Sequence, residues 1–401
     1  MSNKPYSVPV LMYHTVGPEI GGWPWPWLTT PIEVFEDQVV AMAREGYISI
    51  GLGDLYAYMK EGRRLPGRAV VLTFDDGYLD NYVYAYPILK KHGYKGTVFV
   101  STDFVDPSPK PRNTLDDVWA GRAARSDLPG PGFLSWAEMR RMESEGVMEV
   151  QSHTCTHTWC FNGPRIIDFH SPESAERYPW LMWNARPDLK PRYLSEDQSS
   201  LVPFGTPIYE HGRALSGPQY LPDHELAAHL VEAVVGEDFF LRAEWRNELL
   251  EIARSFREEH GDRGRMESGS EYLKRARCEL CESKRLLEEN LGHEVRFLCW
   301  PGGGRSPEVE RLALEVGYAA STKSGSSTGR TPNAPGADPA WINRIGCQDA
   351  WHFRGRKIAY TDGEYLLSRL RVFQGDKMHL WPLRFRKIGW LIGYYLLGRR
   401  P

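Results

Sequence analysis

Val70-Val71-Leu72-Thr73-Phe74-Asp75-Asp76-Gly77 reads as a buried strand that ends in two adjacent carboxylates and a glycine. Successive strand side chains point to opposite faces, so two neighbours converge on one site only where the strand is ending. Two buried carboxylates need a cation, a cationic side chain or a shared proton. Standing alone, Asp-Asp-Gly also fits a strand and turn in which one aspartate caps a helix starting near Tyr78. A second segment decides between the two. Ser152-His153-Thr154-Cys155-Thr156-His157 follows another apolar run, Val147-Met148-Glu149-Val150. Histidines four residues apart face one point if the backbone turns helically between them. Imidazole is the common nitrogen ligand of zinc, and one carboxylate with two imidazoles leaves positions open for water and substrate. Both segments sit at strand ends, so the metal reading prevails.

The pair resembles the first two motifs of the polysaccharide deacetylases, the carbohydrate esterases that share a NodB-homology domain. Their T-F-D-D-G is Thr73 to Gly77 here, and their H-[S/T]-x-x-H is His153, Thr154 and His157. The resemblance implies Asp75 as catalytic base, Asp76, His153 and His157 as metal ligands, and Thr154 as a residue that steadies the loop. The implied cofactor is a divalent metal, zinc first, with cobalt or nickel as alternatives. The opening run Val8 to Val16 resembles the first strand of permuted members that deacetylate poly-N-acetylglucosamine, which gives His14 the role of general acid. His352 and His379 compete for that role. Trp341-Ile342-Asn343-Arg344-Ile345-Gly346 resembles the late strand that supplies an arginine to the catalytic aspartate, so Arg344 would keep Asp75 ionised. The third motif departs from the family. Trp300-Pro301-Gly302-Gly303-Gly304 stands where relatives have an aromatic residue followed by Pro-Tyr-Gly or Pro-Phe-Gly. Gly302 still offers a backbone N–H to an oxyanion, but the tyrosine side chain is missing, and glycines let the loop approach a ligand closely.

What these parts imply is a hydrolase that removes the acetyl group from an N-acetylated amino sugar, in a polysaccharide or a lipid-linked glycan precursor. Two alternatives stay open. One is a deformylase or other small-amide or cyclic-imide hydrolase on the same barrel. The other is a catalytically silent glycan-binding protein, which the altered third motif leaves standing.

Apolar runs near 8–16, 69–75, 96–101, 147–152, 295–300, 318–322 and 341–346 read as strands. Segments near 32–45, 78–92, 135–145 and 306–316 read as helices. Ser135 with Glu138 three residues on is a capping box. Alternation of this kind is a parallel α/β pattern, whose barrels carry their sites at the C-terminal strand ends. The family resemblance makes it a distorted (β/α)7 TIM-like barrel over 1–160 and 270–350. Residues 161–269 are a long insertion after the second motif. Its first half is rich in Pro, Gly, Trp and Tyr, its second half (223–260) reads as two helices, and it leaves the barrel beside His157. Aromatic faces stack on sugar rings, so a substrate-binding cap is one reading, and a packing extension or oligomer contact the other. Ser324 to Asp338, full of Ser, Gly and Pro, reads as a mobile loop.

The remaining features bound function more loosely. The 49 basic and 52 acidic residues balance to a formal charge of -3, which argues against a nucleic-acid partner, and 41% hydrophobic content is ample for a core. Six cysteines are few, and Cys278 with Cys281 has no second pair, so neither a zinc site nor a disulfide is expected there. The start at Met1 shows no signal-peptide core and no run spans a bilayer, which suggests a cytoplasmic enzyme. In the C-terminal extension, 351–401, the segment 384–400 is an apolar, aromatic stretch with basic flanks. It is suited either to a terminal helix packed on the barrel or to peripheral contact with the inner face of the cytoplasmic membrane.

Overall fold

Alternation along the strands sorts their side chains into two populations, and that sorting builds the molecule. The structure is a computed structural model that describes residues 6–21, 23, 25–324, 332–347, 350–353, 356–359, 362–381 and 388, of which Ser324, 350–353, 356–359 and Lys377 are backbone only. The elements that position the site are, in chain order, strand β1 (Val10–Tyr13), helix α1 (Ile32–Arg44), α2 (Leu52–Glu61) and β2 (Arg68–Phe74). Then come α3 (Tyr86–Lys91), β3 (Gly96–Val100), α4 (Trp136–Ser144) and β4 (Met148–Ser152). The insertion contributes β5 (Trp159–Phe169), α5 (Trp180–Ala185), β6 (Pro207–Arg213), α6 (His224–Ala233) and α7 (Trp245–His260). The chain ends with α8 (Gly269–Leu291), β7 (Phe297–Leu298), α9 (Pro307–Val316), β8 (Ala320–Ser324), β9 (Trp341–Gly346) and α10 (Gly363–Phe373).

Seven parallel strands close on themselves in the order β1, β9, β8, β7, β4, β3, β2, with β2 pairing back to β1 from Val10↔Val71 to Tyr13↔Phe74. This is a (β/α)7 barrel, distorted where β7 shrinks to two residues. Val10, Ala69, Val71, Phe99, Phe297, Ala320 and Ile342 share one buried cluster, which α2 joins through Leu52 and Leu55. Their strand neighbours Leu11, Val70, Leu72, Phe74, Val98, Val150, Leu298 and Ile345 belong to a second cluster with the surrounding helices. A fully parallel barrel buries both faces of every strand, which explains why the strands read as continuous apolar runs.

The capping box is present: the Ser135 N–H donates to Glu138 Oε2 at 2.8 Å and the Glu138 N–H to Ser135 Oγ at 3.4 Å. Three parts differ from the sequence reading. The segment 78–92 is one turn of π-helix, Asn81–Ala85, leading into α3, instead of a single α-helix. In the insertion, β5 and β6 form an antiparallel hairpin, with register shifts between Phe161 and Asp168 that break its alternation. Past the late strand, α10 packs on α1, where the Gly363 N–H donates to Asp37 Oδ2 at 2.7 Å, so this part of the C-terminal extension completes the helical shell. Asn333, inside the segment read as a mobile loop, is buried and bonds to Val8 and Asn343. No helix among the described residues is long and apolar enough to cross a membrane, and the segment 384–400 lies outside them apart from Ile388.

Candidate active site

Asp75 continues the inward row Val71, Thr73 one step past the strand end, and that parity sets its partner. Ile342 is inward on β9, so Arg344 is too, and the two meet across the barrel mouth. Arg344 Nη1 donates to Asp75 Oδ1 at 2.6 Å and Nη2 to Oδ2 at 2.8 Å, a bidentate pair in which both side chains are almost wholly buried. Arg344 also reaches Thr73 Oγ1 at 3.2 Å and Cys299 Sγ at 3.0 Å. Burial alone would push the Asp75 carboxyl up, but the charge and hydrogen bonds of Arg344 hold it below the usual carboxylate range. Asp75 is therefore an ionised base whose orientation is fixed from behind.

Asp76 leaves the strand with φ of 74°, and Gly77 follows at the same angle, where a Cβ would meet Val100 Cγ2 at 3.2 Å. Glycine at 77 is a steric requirement. Among the described residues the non-glycine positions with positive φ are Asp76, Thr154 and His157, all in the two motif loops. Each such residue costs on the order of 1–3 kcal/mol and persists only where its surroundings over-determine it. The strain turns three ligand atoms to one point: His153 Nε2 and His157 Nε2 each lie 3.0 Å from Asp76 Oδ1. Burial tends to raise Asp76, but the charge of His157 and hydrogen bonds from both imidazoles hold it well below the ordinary range. His153 Nδ1 pairs with the Cys299 carbonyl at 2.8 Å. A carbonyl accepts only an N–H, so Nδ1 carries a proton, and Nε2, which donates to Asp76 here, is the nitrogen left to hold a metal. These residues fit a divalent cation.

The ligand loop is clamped from two sides by residues the sequence reading did not single out. Glu279 Oε1, on α8, accepts from Cys155 N–H at 3.1 Å, Thr156 N–H at 2.7 Å and Thr156 Oγ1 at 2.8 Å. Lys190, from the insertion and 1% exposed, donates to Asp103 at 2.7 Å and to the Thr156 carbonyl at 3.0 Å. Thr154 holds the loop through its backbone, with N–H to Ser152 Oγ and carbonyl to the Thr102 N–H, whereas its buried hydroxyl has no partner.

His14, one residue past β1, lines the same pocket with Nε2 3.9 Å from Asp75 Oδ2. Burial lowers its pKa, opposed in part by Asp76 and Asp75. His379 lies elsewhere, against Arg371 and Asp376 below α10, and the side chain of His352 falls outside the described residues. Gly302 lines the pocket at φ of 53°. Cys278 and Cys281 are exposed and unpaired.

The pocket is a cavity of about 350 Å³ walled by Trp25, Trp159, Trp180, Trp183, Tyr193 and Trp300, among others, with Asp75 and Asp76 within its lining. The insertion therefore closes over the barrel mouth. The indole N–H groups of Trp180, Trp183 and Trp300 are buried with no acceptor among the described residues. The hairpin strand β6 ends at Arg213, which also enters this pocket, stacked 4.1 Å from the Trp159 ring centroid.

Residues 62–178 match the family model of the polysaccharide deacetylases. YxkH of Bacillus subtilis, provisionally named a polysaccharide deacetylase, is 33% identical over 99 residues, a match covering 25% of this chain and 33% of that protein. The poly-beta-1,6-N-acetyl-D-glucosamine N-deacetylase of Escherichia coli is 26% identical over 118 residues, 29% of this chain and 16% of that one. The chain thus spans a third or less of these relatives. The deacetylase domain of BpsB from Bordetella bronchiseptica superposes with a TM-score of 0.50 at 20% identity, over 85% of this chain and 95% of that domain, a likeness of fold.

Proposed function

We propose, from the match of residues 62–178 to the polysaccharide deacetylase family, that the protein is a metal-dependent hydrolase that removes the acyl group from an N-acylated amino sugar. The observation that carries the reading is the meeting of an ionised, arginine-held Asp75 with the Asp76, His153, His157 cluster at one end of an aromatic pocket. A divalent cation in that cluster would act as a Lewis acid toward the acyl carbonyl and would lower the pKa of water. The chain's own residues do the rest. Asp75 takes a proton from the attacking water as its oxygen bonds to the acyl carbon. The Gly302 N–H would donate to the oxygen that gains charge. As the C–N bond breaks, the amine must leave protonated, and we assign that proton to His14, which lines the pocket. Its lowered pKa means that it is neutral at neutral pH. The proton it delivers would be the one taken from water, relayed from Asp75, whose Oδ2 lies 3.9 Å away and must close to hydrogen-bond reach for the transfer.

Indoles whose N–H groups lack acceptors among the described residues suit a ligand that offers both an apolar face and hydroxyl oxygens, as a sugar ring does. A second reading, a small-amide hydrolase, draws on the size of the cavity, which is at the low end of the roughly 300–1,000 Å³ usual for small-molecule sites. The test is acyl release by zinc-loaded protein from short N-acetylglucosamine oligomers, from a lipid-linked N-acetyl sugar and from formamido sugars, with Asp75→Asn as blank. Acetate from wild type alone supports the deacetylase. Formate in place of acetate supports the small-amide reading, and bound metal with no turnover of any substrate overturns both.

A further inference from the structure

The altered third motif and the insertion are one device. Arg213, half-buried at the end of β6, lies across the loop Gly302 to Gly304. A Cβ on Gly302 would fall 2.2 Å from Arg213 Cζ, and a Cβ on Gly304 would fall 2.2 Å from Arg213 Cβ. Both glycines are thus required by the arginine, whose guanidinium fills the space in which a side chain at 302 would begin. Where the family pattern has a tyrosine or phenylalanine grown from the barrel loop, this chain has an arginine brought in from outside.

Among the described residues that arginine has no partner for its charge. Among the described residues its side chain makes neither an ion pair nor a hydrogen bond, and its one contact of this kind is the Trp159 face. The other arginines of the site region differ: Arg344 grips Asp75, and Arg275 grips Glu267 with two bonds. Asp76, whose field reaches Arg213, is committed to His153 and His157. Stacking on an indole holds a guanidinium flat and leaves its edge of donors free for a planar or tetrahedral oxyanion. The pocket's charges point the same way. Arg344 offsets Asp75, a divalent cation would more than offset Asp76, and Arg213 is left over, with the exposed Arg177 at the rim 3.9 Å from Asp168.

We propose that Arg213 is the specificity-determining cation of this site, and that the acylamino sugar it selects carries an anionic substituent, a carboxylate or a phosphate, beside the amide. The proposal rests on the hydrolase reading above and names its substrate class. A uronate ring and a sugar phosphate present the same oxyanion chemistry, and the experiment separates them.

The experiment compares kcat/KM of the zinc-loaded enzyme on N-acetylglucosamine disaccharide, on a disaccharide whose neighbouring ring is a uronate, and on N-acetylglucosamine 1-phosphate. It is run for wild type, Arg213→Gln, Arg213→Lys and Gly304→Ala. Wild type should prefer one anionic substrate over the neutral one by about tenfold or more, and which of the two names the source of the charge. Arg213→Gln should cut that preference by about tenfold, Arg213→Lys should keep part of it, and Gly304→Ala, which displaces the arginine, should cut it as well. Equal losses on neutral and anionic substrates would overturn the proposal, because a structural prop or an oxyanion donor would act on both alike. If wild type releases acyl groups from none of them, the hydrolase reading has failed. Binding of the same sugars to zinc-loaded protein, followed by tryptophan fluorescence, then decides this one. Tighter binding of an anionic sugar that Arg213→Gln abolishes upholds it, and equal binding by the two proteins sinks it.

Discussion

At the residue scale the site depends on groups that aim other groups. Arg344 makes Asp75 a base rather than a protonated acid, because a carboxyl this buried would otherwise rise in pKa. Arg344→Lys keeps the charge but gives up the fork, and we expect kcat to fall by roughly 10–100-fold with metal content unchanged. Arg344→Met strands Asp75 without a cation, at a cost of about 3–5 kcal/mol, which urea denaturation would register. A Met variant as stable and active as wild type would remove Arg344 from the account. Glu279 acts at one remove again, with three donors of the ligand loop converging on one oxygen. Glu279→Ala should weaken zinc binding by about 10–100-fold in competition with a chromophoric chelator, while far-ultraviolet dichroism stays the same. The contrast between these two residues shows what was legible beforehand. Arg344 could be read because it lies on a strand whose parity and family pattern point it inward, and Cys299, two residues after the inward Phe297, obeys the same parity. Glu279 could not, because it meets Thr156 across 123 residues of chain, from a half-buried position on a charged helix whose sequence offers no sign of a partner. The arginine at 213 was hidden for the same reason: only the folded hairpin brings it to the glycines.

At the element scale, some strands and helices lie within a residue or two of where their periodicity puts them, as β9 and α9 show, whereas α2, which also buries an apolar face, was not read. The hairpin β5–β6 was not legible, because Asn162-Gly163-Pro164 reads as a turn and the register shifts destroy the alternation that marks a strand. Elements are also fastened to one another by titratable pairs, and one of these gives a pH test. His293, just past α8, holds Glu143 of α4 at 2.7 Å, and Glu143 also accepts the Val150 N–H of β4. The hydrogen bond to Glu143, against burial, raises the His293 pKa to about 9. A histidine whose folded pKa exceeds its unfolded value near 6.5 stabilises the fold fully below about pH 6.5, and that contribution is lost as pH rises through the folded value. The stability gap between wild type and His293→Gln should therefore be widest near pH 6 and should close by roughly pH 9–10, read as urea midpoints. A gap that stays constant over this range would mean that the imidazole carries no charge in the native protein.

At the scale of the whole molecule, the cap and the metal loop are mechanically one body. The insertion has its own apolar clusters, one of aromatic side chains that include Trp180 and Trp183, and one built by Leu226, Leu230, Trp245 and Leu249 between α6 and α7. One firm polar tie to the barrel is Lys190, which spans from Asp103 after β3 to the Thr156 carbonyl between the two histidines. An ammonium group this buried is kept only because both acceptors are in place. Lys190→Met leaves a carboxylate and a carbonyl without their donor. The cost is roughly 3–5 kcal/mol at the buried limit, and less here because Asp103 keeps 27% of its exposure. Part of that cost falls on the loop between His153 and His157, so the metal should leave faster under a chelator challenge, in addition to any loss of stability. The double variant Lys190→Met with Asp103→Leu separates the two effects. It removes the stranded charge and should recover most of the stability, yet the Thr156 carbonyl still lacks its donor, so metal release should stay fast. If both variants hold metal as long as wild type, the cap is an independent lid and its contact with the ligand loop is incidental. If the double variant recovers metal retention together with stability, the tie works through the charge of Asp103 and not through the loop.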